Sequence, residues 1–437
     1  MQLIPNIIFA ILLGVGVYFF ASNVKKLIRN IKLGKDLDRS DQKSQRWSNM
    51  IRIALGQSKM VRRPVSGFLH VIVYIGFIII NIEVLEIVLD GLLGTHRLFL
   101  PILGKAFYGF LIGTFEVLAL LVFVSVTIFW LRRNVLKIKR FWNKEMTDWP
   151  KNDGNYILYF EMVLMTLFLI MNTTDVHLQQ SGTGNVISQF FVPLFQNISF
   201  EGLHLIERTA WWLHICGILV FLNYLYYSKH LHILLAFPNT FYANLKPKGQ
   251  FPNNKNVTKE VQLMMDPNAD PYAAPAEDEG EPEKFGASDV TDLNWVQLMN
   301  AYTCTECGRC TSVCPANLTG KELSPRAIMM KTRDRLEEVG RNIDANKGTF
   351  QDDGKQLLGD DYITQEEIWA CTSCNACVEE CPVNIDPLSI IMDMRQYLVM
   401  EQSAAPQELN AMMTNVENNG APWQYSQMDR LNWVNEE

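Results

Sequence analysis

Eight of the nine cysteines fall into two rows of identical spacing in the C-terminal third of the chain. The first row is Cys304, Cys307, Cys310 and Cys314, followed by Pro315; the second is Cys371, Cys374, Cys377 and Cys381, followed by Pro382. Each row is a CxxCxxCxxxCP motif of the kind that binds a [4Fe-4S] cluster, and in two-cluster ferredoxins the fourth cysteine of each row ligates the other cluster. The spacing therefore predicts two clusters, one held by Cys304, Cys307, Cys310 and Cys381 and one by Cys371, Cys374, Cys377 and Cys314.

Eight cysteines can also form a disulfide framework or structural zinc sites. Zinc sites usually combine separated CxxC pairs, whereas each row here has three cysteines at strict three-residue steps before CP, which favours clusters. The two rows lie farther apart than in a minimal ferredoxin, and the intervening segments Ser324–Val339 and Thr364–Ala370 are predicted helices. This part of the chain resembles the helical ferredoxin module of heterodisulfide reductase and succinate dehydrogenase iron-sulfur subunits.

Five apolar stretches in the first half of the chain are long enough to cross a bilayer, which takes about 20 residues in a helix. They are Leu3–Ser22, Val65–Leu89, Ala106–Leu131, Ile157–Val176 and Thr209–Ser228. The first lacks a basic segment before it and is followed by several lysines and arginines, so it is predicted to be an uncleaved helix and not a signal peptide. The hydrophobic content of 48% therefore reflects a membrane part joined to a polar part.

Lysine and arginine crowd the connections between spans one and two and between spans three and four. The second connection has only Arg97 and Lys105, and the fourth has only Arg208. Because positively charged segments stay in the cytoplasm, we expect the N-terminus outside and both cysteine rows inside. The reducing cytoplasm suits iron-sulfur clusters, and the bacterial cytoplasmic membrane is the expected location.

All seven histidines lie in the membrane half, where ligand-type side chains are functional candidates. His70, early in the second span, and His232, just after the fifth, are predicted at matching depth near the cytoplasmic side. A histidine reaching towards the headgroups would explain one such residue better than a pair. On a continuous fifth helix, His214 would lie five turns, or about 27 Å, from His232 on the same face.

With Lys229, His232 and Pro238 in a KxxHxxxxxP pattern, this half resembles the cytochrome b gamma subunit of respiratory nitrate reductase. The resemblance implies that His70 and His232 are the axial ligands of a b-type haem near the cytoplasmic face. His230 is the competing ligand on that side.

A second, outer haem would use His214, with His177 as its partner. The position where the nitrate reductase family has another histidine on the second span is Ile80 here, and His214 could instead be a structural histidine bonded to a carbonyl. His96 and His204 are expected at the surface.

Other polar residues of the membrane half have two interpretations. Glu83, Glu86 and Glu116 lie within predicted spans, where carboxylates either carry protons, here for quinone chemistry, or face water or a polar neighbour. Cys216 is expected to be a small core residue.

Composition divides the chain into a membrane domain (1–240), an acidic, proline-rich linker (241–289), a two-cluster domain (290–402) and a tail (403–437). Five basic residues of the two-cluster domain are expected mostly on a solvated helix face: Lys321, Arg326, Lys331, Arg333 and Arg335. The tail keeps side chains of types enriched at interfaces, namely Met412, Met413, Trp423, Tyr425 and Trp433, and is predicted to dock a partner. Incidental aromatic residues on a disordered end are the alternative.

The phrases at 304–309, 321–326, 369–382 and 394–399 resemble membrane-bound iron-sulfur oxidoreductases related to heterodisulfide reductase, such as membrane electron-transfer flavoprotein dehydrogenases. The resemblance implies an all-α membrane bundle of five transmembrane helices, nitrate-reductase-gamma-like, fused to a mainly α-helical cytoplasmic dicluster ferredoxin domain. It also implies electron transfer between a cytoplasmic partner, two [4Fe-4S] clusters, haem b and the quinone pool. Fused members of the family continue into CCG cysteine domains, so the partner here is expected to be a separate CCG-type or flavoprotein subunit.

Two other functions remain open. One is quinol-driven reduction of a cytoplasmic thiol-disulfide enzyme, and the other is a membrane-anchored iron-sulfur redox sensor. No catalytic acid, base or nucleophile is assigned, because the cofactors would carry the chemistry, and no nucleic-acid partner is expected.

Overall fold

The structure, a computed structural model, describes residues 3–251, 253–267 and 284–435, and this part of the chain is helical without a β-strand. The first nine α-helices are α1 Leu3–Ile31, α2 Lys43–Met50, α3 Pro64–Leu93, α4 Phe99–Leu103, α5 Lys105–Asn134, α6 Asp148–Thr174, α7 Val176–Ser181, α8 Phe200–Tyr224 and α9 His232–Phe241. The other nine are α10 Lys255–Met265, α11 Trp295–Thr303, α12 Pro315–Leu318, α13 Pro325–Ala345, α14 Gln365–Trp369, α15 Ala376–Glu380, α16 Pro387–Met400, α17 Gln407–Asn419 and α18 Asn432–Asn435.

The five predicted spans are confirmed as α1, α3, α5, α6 and α8, each long and apolar enough to cross a membrane. They enclose a core that includes Ile112, Phe115, Phe168 and Ile215. Their outer faces expose other apolar side chains, such as Phe110. Apolar side chains on both faces are expected of helices whose surroundings are lipid, and these helices indicate a membrane protein.

The expectation of a continuous fifth helix carrying both His214 and His232 is wrong. Helix α8 ends at Tyr224, and two 3₁₀ turns separate it from α9, which begins at His232. The extended backbone of Ser228 breaks the helix. The Asp153 carboxylate stabilises the break, because it accepts hydrogen bonds from the Tyr224 and Ser228 hydroxyls and from the Lys229 amide.

The two predicted C-terminal helices begin next to Ser324 and Thr364, as expected, and each start has a side-chain cap. Ser324 accepts a hydrogen bond from the amide of Ala327 at the start of α13, and Thr364 forms a capping box with Glu367 at the start of α14. Each cap satisfies amides that have no partner within the helix. These helices surround a core that includes Leu298, Ile328, Leu336 and Ile390.

The basic residues of α13 were predicted to lie mostly on a solvated helix face, and the structure differs from this prediction. Arg326 and Arg335 are fully buried, Arg335 between the carboxylates of Asp289 and Asp353. Arg333 is mostly buried beside Glu306, whereas Lys321 is exposed. A charge pattern on one helix does not reveal which carboxylates other segments bring against it, and buried arginines need such partners.

The end of α1 packs into the C-terminal core, so the bundle and the C-terminal helices share one interface. Leu27 belongs to that core, and the buried Asn30 donates to the Tyr302 hydroxyl at 2.8 Å. On the same side, Arg326 donates to the Arg140 carbonyl and to Glu145. The end of the bundle that makes these contacts is called the proximal end, and the opposite one the distal end.

The linker lies partly outside the described residues, including its acidic group Glu277, Asp278, Glu279, Glu281 and Glu283. Within the described part of the linker, residues 255–265 form α10. The tail forms α17, none of whose residues is buried, followed by short turns that leave Trp423, Tyr425 and Trp433 exposed.

Candidate metal centres

The first crossed set of cysteines converges on one pocket beneath α13. Cys304, Cys307, Cys310 and Cys381 line it together with Cys377. Three of the four come from the first row and Cys381 comes from the end of the second. This is the arrangement that a crossed pair of clusters requires.

The second set lies beside the first. Cys371 is close enough to Cys314 and Cys374 for their charges to act on its thiol, and Cys377 is similarly close to Cys371 and Cys314. Thiolates on one tetrahedral zinc lie about 3.8 Å apart, but in the described ranges no three cysteine sulfurs fall within 4.8 Å of one another. All nine cysteines are free of disulfides. The donor sets therefore fit two multi-iron clusters better than single metal ions.

The two rows share one backbone conformation. Glu306 and Gly308 in the first row have positive φ, and so do Ser373 and Asn375 at the equivalent positions of the second. Such left-handed residues turn successive amides towards a concave site. The Ser373 amide already donates to the Cys371 sulfur at 3.4 Å, and hydrogen bonds of this kind tune cluster potentials.

Gly308 is required for space as well as for backbone conformation. With φ at 70°, a Cβ at this position would lie 2.5 Å from a guanidinium nitrogen of Arg326. Arg326 also donates to the Glu306 carbonyl at 3.3 Å, so the turn between Cys307 and Cys310 is packed tightly against α13.

Burial raises the pKa of the Cys304 thiol to about 12 and that of Cys381 to about 11. The same cause raises the pKa of Cys310 and Cys377. A thiol must lose its proton to bind iron, so cluster insertion has to displace protons from these buried groups.

Basic side chains lie close to the negatively charged cluster sites. Lys59 donates to the Cys381 carbonyl at 3.3 Å, and Arg395 donates to the carbonyls of Ile368 and Cys371. Burial lowers the pKa of Lys59 to about 8, although Cys381 acts in the opposite sense. Glu306, between Cys304 and Cys307, is itself held by Lys229 and Arg333.

The structure brings His70 and His232 together at the proximal end. Their ring centroids are 6.4 Å apart, close to the roughly 6 Å expected when one metal ion binds both rings through bonds of about 2.0–2.1 Å. With the Lys229 carbonyl 3.1 Å from its Nδ1, His232 can donate there and leave Nε2 free as a ligand. Nδ1 of His70 and the hydroxyl of Tyr74, one turn further along α3, are buried, and no hydrogen-bond partner for them lies in the described ranges. These donors fit an axial haem pair.

The other candidate histidines have different neighbours. His230 contacts His232, with ring centroids 5.3 Å apart. It therefore lies beside the proximal pair of His70 and His232. His214 is buried against Phe168, and within the described part of the chain its Nδ1 has no hydrogen-bond partner. His177 contacts the rings of His96 and Phe200 at the distal end. His177 and His214 therefore sit in different ring clusters.

The side chains of His96 and His204 are 40% and 67% exposed, as expected for surface residues, yet both line a distal cavity of about 630 Å³. Its walls include the rings of Phe9, Phe200, Trp211 and Trp212. Donor atoms of His96, Asp175 and Glu207 lie within 4.8 Å of one another at this cavity. No sequence pattern connects these three residues, because they come from three different segments.

Arg97, which the sequence presents only as a charge in a short connection, is buried in the distal end. It donates to Glu83 at 3.0 Å, to Asn172 at 2.7 Å and to Asp175 at 3.2 Å. These bonds give Glu83 a polar neighbour, which was one of its two interpretations.

Glu86 and Glu116 also have polar neighbours. Glu86 accepts from the Tyr108 hydroxyl, and Glu116 accepts from Asn172 and from the amides of Ile187 and Ser188. Glu161, in the middle of α6, is a further candidate that the sequence indicates only by a single carboxylate within an apolar span. No hydrogen bond or ion pair within the described ranges reaches it.

Residues 303–385 match the family model of the 4Fe-4S dicluster domain. This match covers both cysteine rows. Together with the converging cysteines, it defines the C-terminal helices as a module that holds two iron-sulfur clusters.

Relatives extend the comparison to the membrane helices. The chain is 28% identical, over 99% of its length, to the probable iron-sulfur-binding oxidoreductase FadF of Bacillus subtilis, of which it covers 61%. It is 25% identical over 92% of its length to the EtfAB:quinone oxidoreductase of Syntrophomonas wolfei, of which it covers 55%. Over 35% of the chain it is 26% identical to a dihydromethanophenazine:CoB--CoM heterodisulfide reductase subunit of Methanosarcina mazei, covering 37% of that protein. No solved structure matches the chain.

These relatives are named as an iron-sulfur-binding oxidoreductase, a quinone oxidoreductase and a heterodisulfide reductase subunit. The chain spans little more than half the length of the first two relatives.

Proposed function

We propose that this protein is the membrane electron-transfer subunit of a quinone-linked oxidoreductase, passing electrons between a cytoplasmic redox partner and the quinone pool. The clusters and a b-type haem, when bound, supply the one-electron steps. The single observation that carries the proposal is the contact between the first cysteine row and the proximal histidines. His232 is bonded to the Lys229 carbonyl, and the Lys229 ammonium is bonded to Glu306, between Cys304 and Cys307.

In this function, the protein's own residues position the cofactors and adjust their charge. His70 and His232 are the proposed axial ligands, and the eight cysteines of the two rows are the proposed cluster ligands. Lys59, Arg309 and Arg395 would offset the negative charge of the thiolates. With the bundle oriented as its lysines and arginines predict, the N-terminus lies outside and the clusters lie in the cytoplasm.

The distal cavity is the proposed quinone site. It has the size and the mixed aromatic and polar lining of a small-molecule site. His96, His177 and Glu207 at its wall can exchange protons with a quinone headgroup. Trp211 on this wall is one turn from His214. His214 is therefore the proposed ligand of a second haem. Its expected partner His177 lies beside His96 and not beside His214.

An electron-transfer flavoprotein, directly or through a CCG-type subunit, is the proposed cytoplasmic partner. The name of the Syntrophomonas relative, which contains EtfAB and quinone, supports this choice. The exposed tail, with Met412, Met413, Trp423, Tyr425 and Trp433, is its proposed docking segment.

The heterodisulfide reductase relatives favour a second candidate, in which quinol reduces a cytoplasmic thiol-disulfide enzyme through the same residues. A membrane-anchored redox sensor is a weaker candidate, because it gives no role to paired histidines inside the bundle.

The test uses the purified full-length protein in lipid nanodiscs. We expect a pyridine haemochrome spectrum of haem b. After reduction with a stoichiometric amount of dithionite, we expect iron-sulfur EPR signals that disappear when a menaquinone analogue oxidises the clusters. His70→Ala and His232→Ala should each remove the same haem absorbance, while the control His204→Ala retains it. Equal haem content in all four proteins would refute the axial pair, and clusters that no quinone oxidises would refute the proposed function.

A further inference from the structure

The two cysteine rows have the same backbone conformation, but other segments shield them from solvent to different extents. Thr372 and Cys374 in the second row are exposed, whereas the equivalent Thr305 and Cys307 in the first row are only partly exposed. Cys374 is the one exposed cysteine among the eight. Since the two loops follow the same path, the difference comes from what packs against them.

Residues from the membrane half cover the first-row loop. Arg309 donates to the Lys59 carbonyl at 3.2 and 3.1 Å and lies against the sulfur of Met60. A Cβ on Gly308 would lie 3.3 Å from the Arg140 carbonyl. The first row is therefore sealed against the proximal end of the bundle.

The segments that seal the first row also lead to the proximal histidines. Arg63 donates to the Ser312 hydroxyl at 3.1 Å, and it directly precedes α3, about two turns before His70. Lys229 connects the carboxylate of Glu306 with the imidazole of His232. The first-row site is thus the one that continues into the membrane part.

The second row borders a basic groove that opens beside Asn375. Five basic side chains line this groove: Arg52, Lys59, Arg62, Lys246 and Lys248. Arg62 and Lys248 are paired with Glu379. Within the described part of the chain no carboxylate pairs with Arg52 or Lys246, so these two cations remain available to a partner.

We propose that the second-row site, at Thr372–Asn375, is where the protein exchanges electrons with its cytoplasmic partner, and that the first-row site exchanges them with the membrane part. The partner is a redox protein with an acidic contact surface, which complements the basic groove. This inference rests on the proposed function. Each transfer removes one electron from the donor and gives it to the acceptor, and no bond is made or broken.

One experiment tests the order of the two sites without any partner. The full-length protein in nanodiscs is reduced with dithionite, and the EPR relaxation of each cluster is measured with a soluble dysprosium chelate. Cys314→Ser assigns the second-row signal. We expect the chelate to accelerate relaxation of the second-row signal more strongly, because paramagnetic relaxation falls steeply with distance. Equal effects, or a stronger effect on the first-row signal, would overturn the proposed order.

A second experiment tests the docking surface. In the double variant Arg52→Glu with Lys246→Glu, reduction of the clusters by a reduced electron-transfer flavoprotein should slow about tenfold at low salt, with little change at high salt. The control reverses two exposed lysines elsewhere, Lys321→Glu with Lys347→Glu. Dithionite reduction and both EPR signals should be unchanged in every variant.

The outcomes separate this inference from the proposed function. An unchanged flavoprotein rate in the groove variant, or an equal loss in the control, would overturn the docking surface. If the flavoprotein does not reduce the wild-type protein at all, the proposed donor is wrong, and the dysprosium experiment still decides which site faces the cytoplasm.

Discussion

Replacing Lys229 by Met tests the connection between the histidines and the first cysteine row. The Lys229 side chain is 10% exposed and that of its partner Glu306 is 2% exposed. The ammonium also donates to the Pro150 carbonyl at 2.6 Å and lies 3.8 Å from Asp153. Met has a similar length and no charge, so the substitution removes these interactions with little change in volume.

The expected loss follows from the burial of both charges. Removing one partner of a buried pair costs about 3–5 kcal/mol, and Arg333 still pairs with Glu306 at 2.8 Å. We therefore expect a loss near the lower limit, about 3 kcal/mol. Lys229 belongs to the membrane domain, and for a unit of roughly 150–250 residues a loss of about 3 kcal/mol lowers the melting temperature by roughly 6–12 °C.

The matched control is Lys144→Met. Lys144 forms an ion pair with Glu322 across the same two parts of the chain, at 3.4 Å, but the two side chains are 89% and 57% exposed. Many exposed pairs contribute nothing measurable, so the control should melt like the wild type.

The assay is thermal unfolding of the cluster-loaded protein in nanodiscs, followed by intrinsic fluorescence, together with EPR. The Lys229→Met spectrum should shift for the first-row cluster and not for the second. Combining Lys229→Met with Glu306→Gln should cost less than the sum of the single changes, because both remove the same pair. Additive losses, or a Lys229→Met protein as stable as the Lys144→Met control, would refute this reasoning.

Three further predictions concern the cluster ligands, the interface and the tail. Cys314→Ser should alter the EPR signal of the second-row cluster, and a loss confined to the cluster of Cys304 would refute the crossed assignment. Burial alone would raise the pKa of Glu145, but the charge of Arg326 and the hydrogen bonds from Ser324 and Arg326 together hold the pKa below the ordinary value. The resulting stability is present above the ordinary carboxyl pKa and is lost as the pH falls through the folded value. When the pH is lowered from 6 to about 3.5, the melting temperature of Glu145→Gln should therefore decrease less than that of the wild type. Equal decreases in the two proteins would contradict this role of Glu145. Deleting the residues after Ala405 should leave clusters and haem intact but abolish copurification of the partner; a truncated protein with full turnover would show that the tail has no such role.

The sequence alone determined the elements whose signal is local. Five apolar runs predicted the five spans, because a bilayer needs long apolar helices whatever their neighbours are. The helices expected from Ser324 and from Thr364 begin there, because a helix start is fixed by residues only three positions apart. The spacing within each cysteine row predicted the module that the 4Fe-4S dicluster match covers.

Only the tertiary structure decided which distant residues meet. The charge pattern predicted Arg326 and Arg335 on a solvated face. In the structure both are buried, and they form ion pairs with Glu145, Asp289 and Asp353 from other segments. It treated the end of the membrane half as one continuous helix, but Asp153 on α6 holds a break before His232. The two cysteine rows have one motif, and their unequal exposure depends on which of them the bundle covers. Periodicity and motifs describe near neighbours along the chain, whereas burial and ion pairing depend on the packing of segments far apart in sequence.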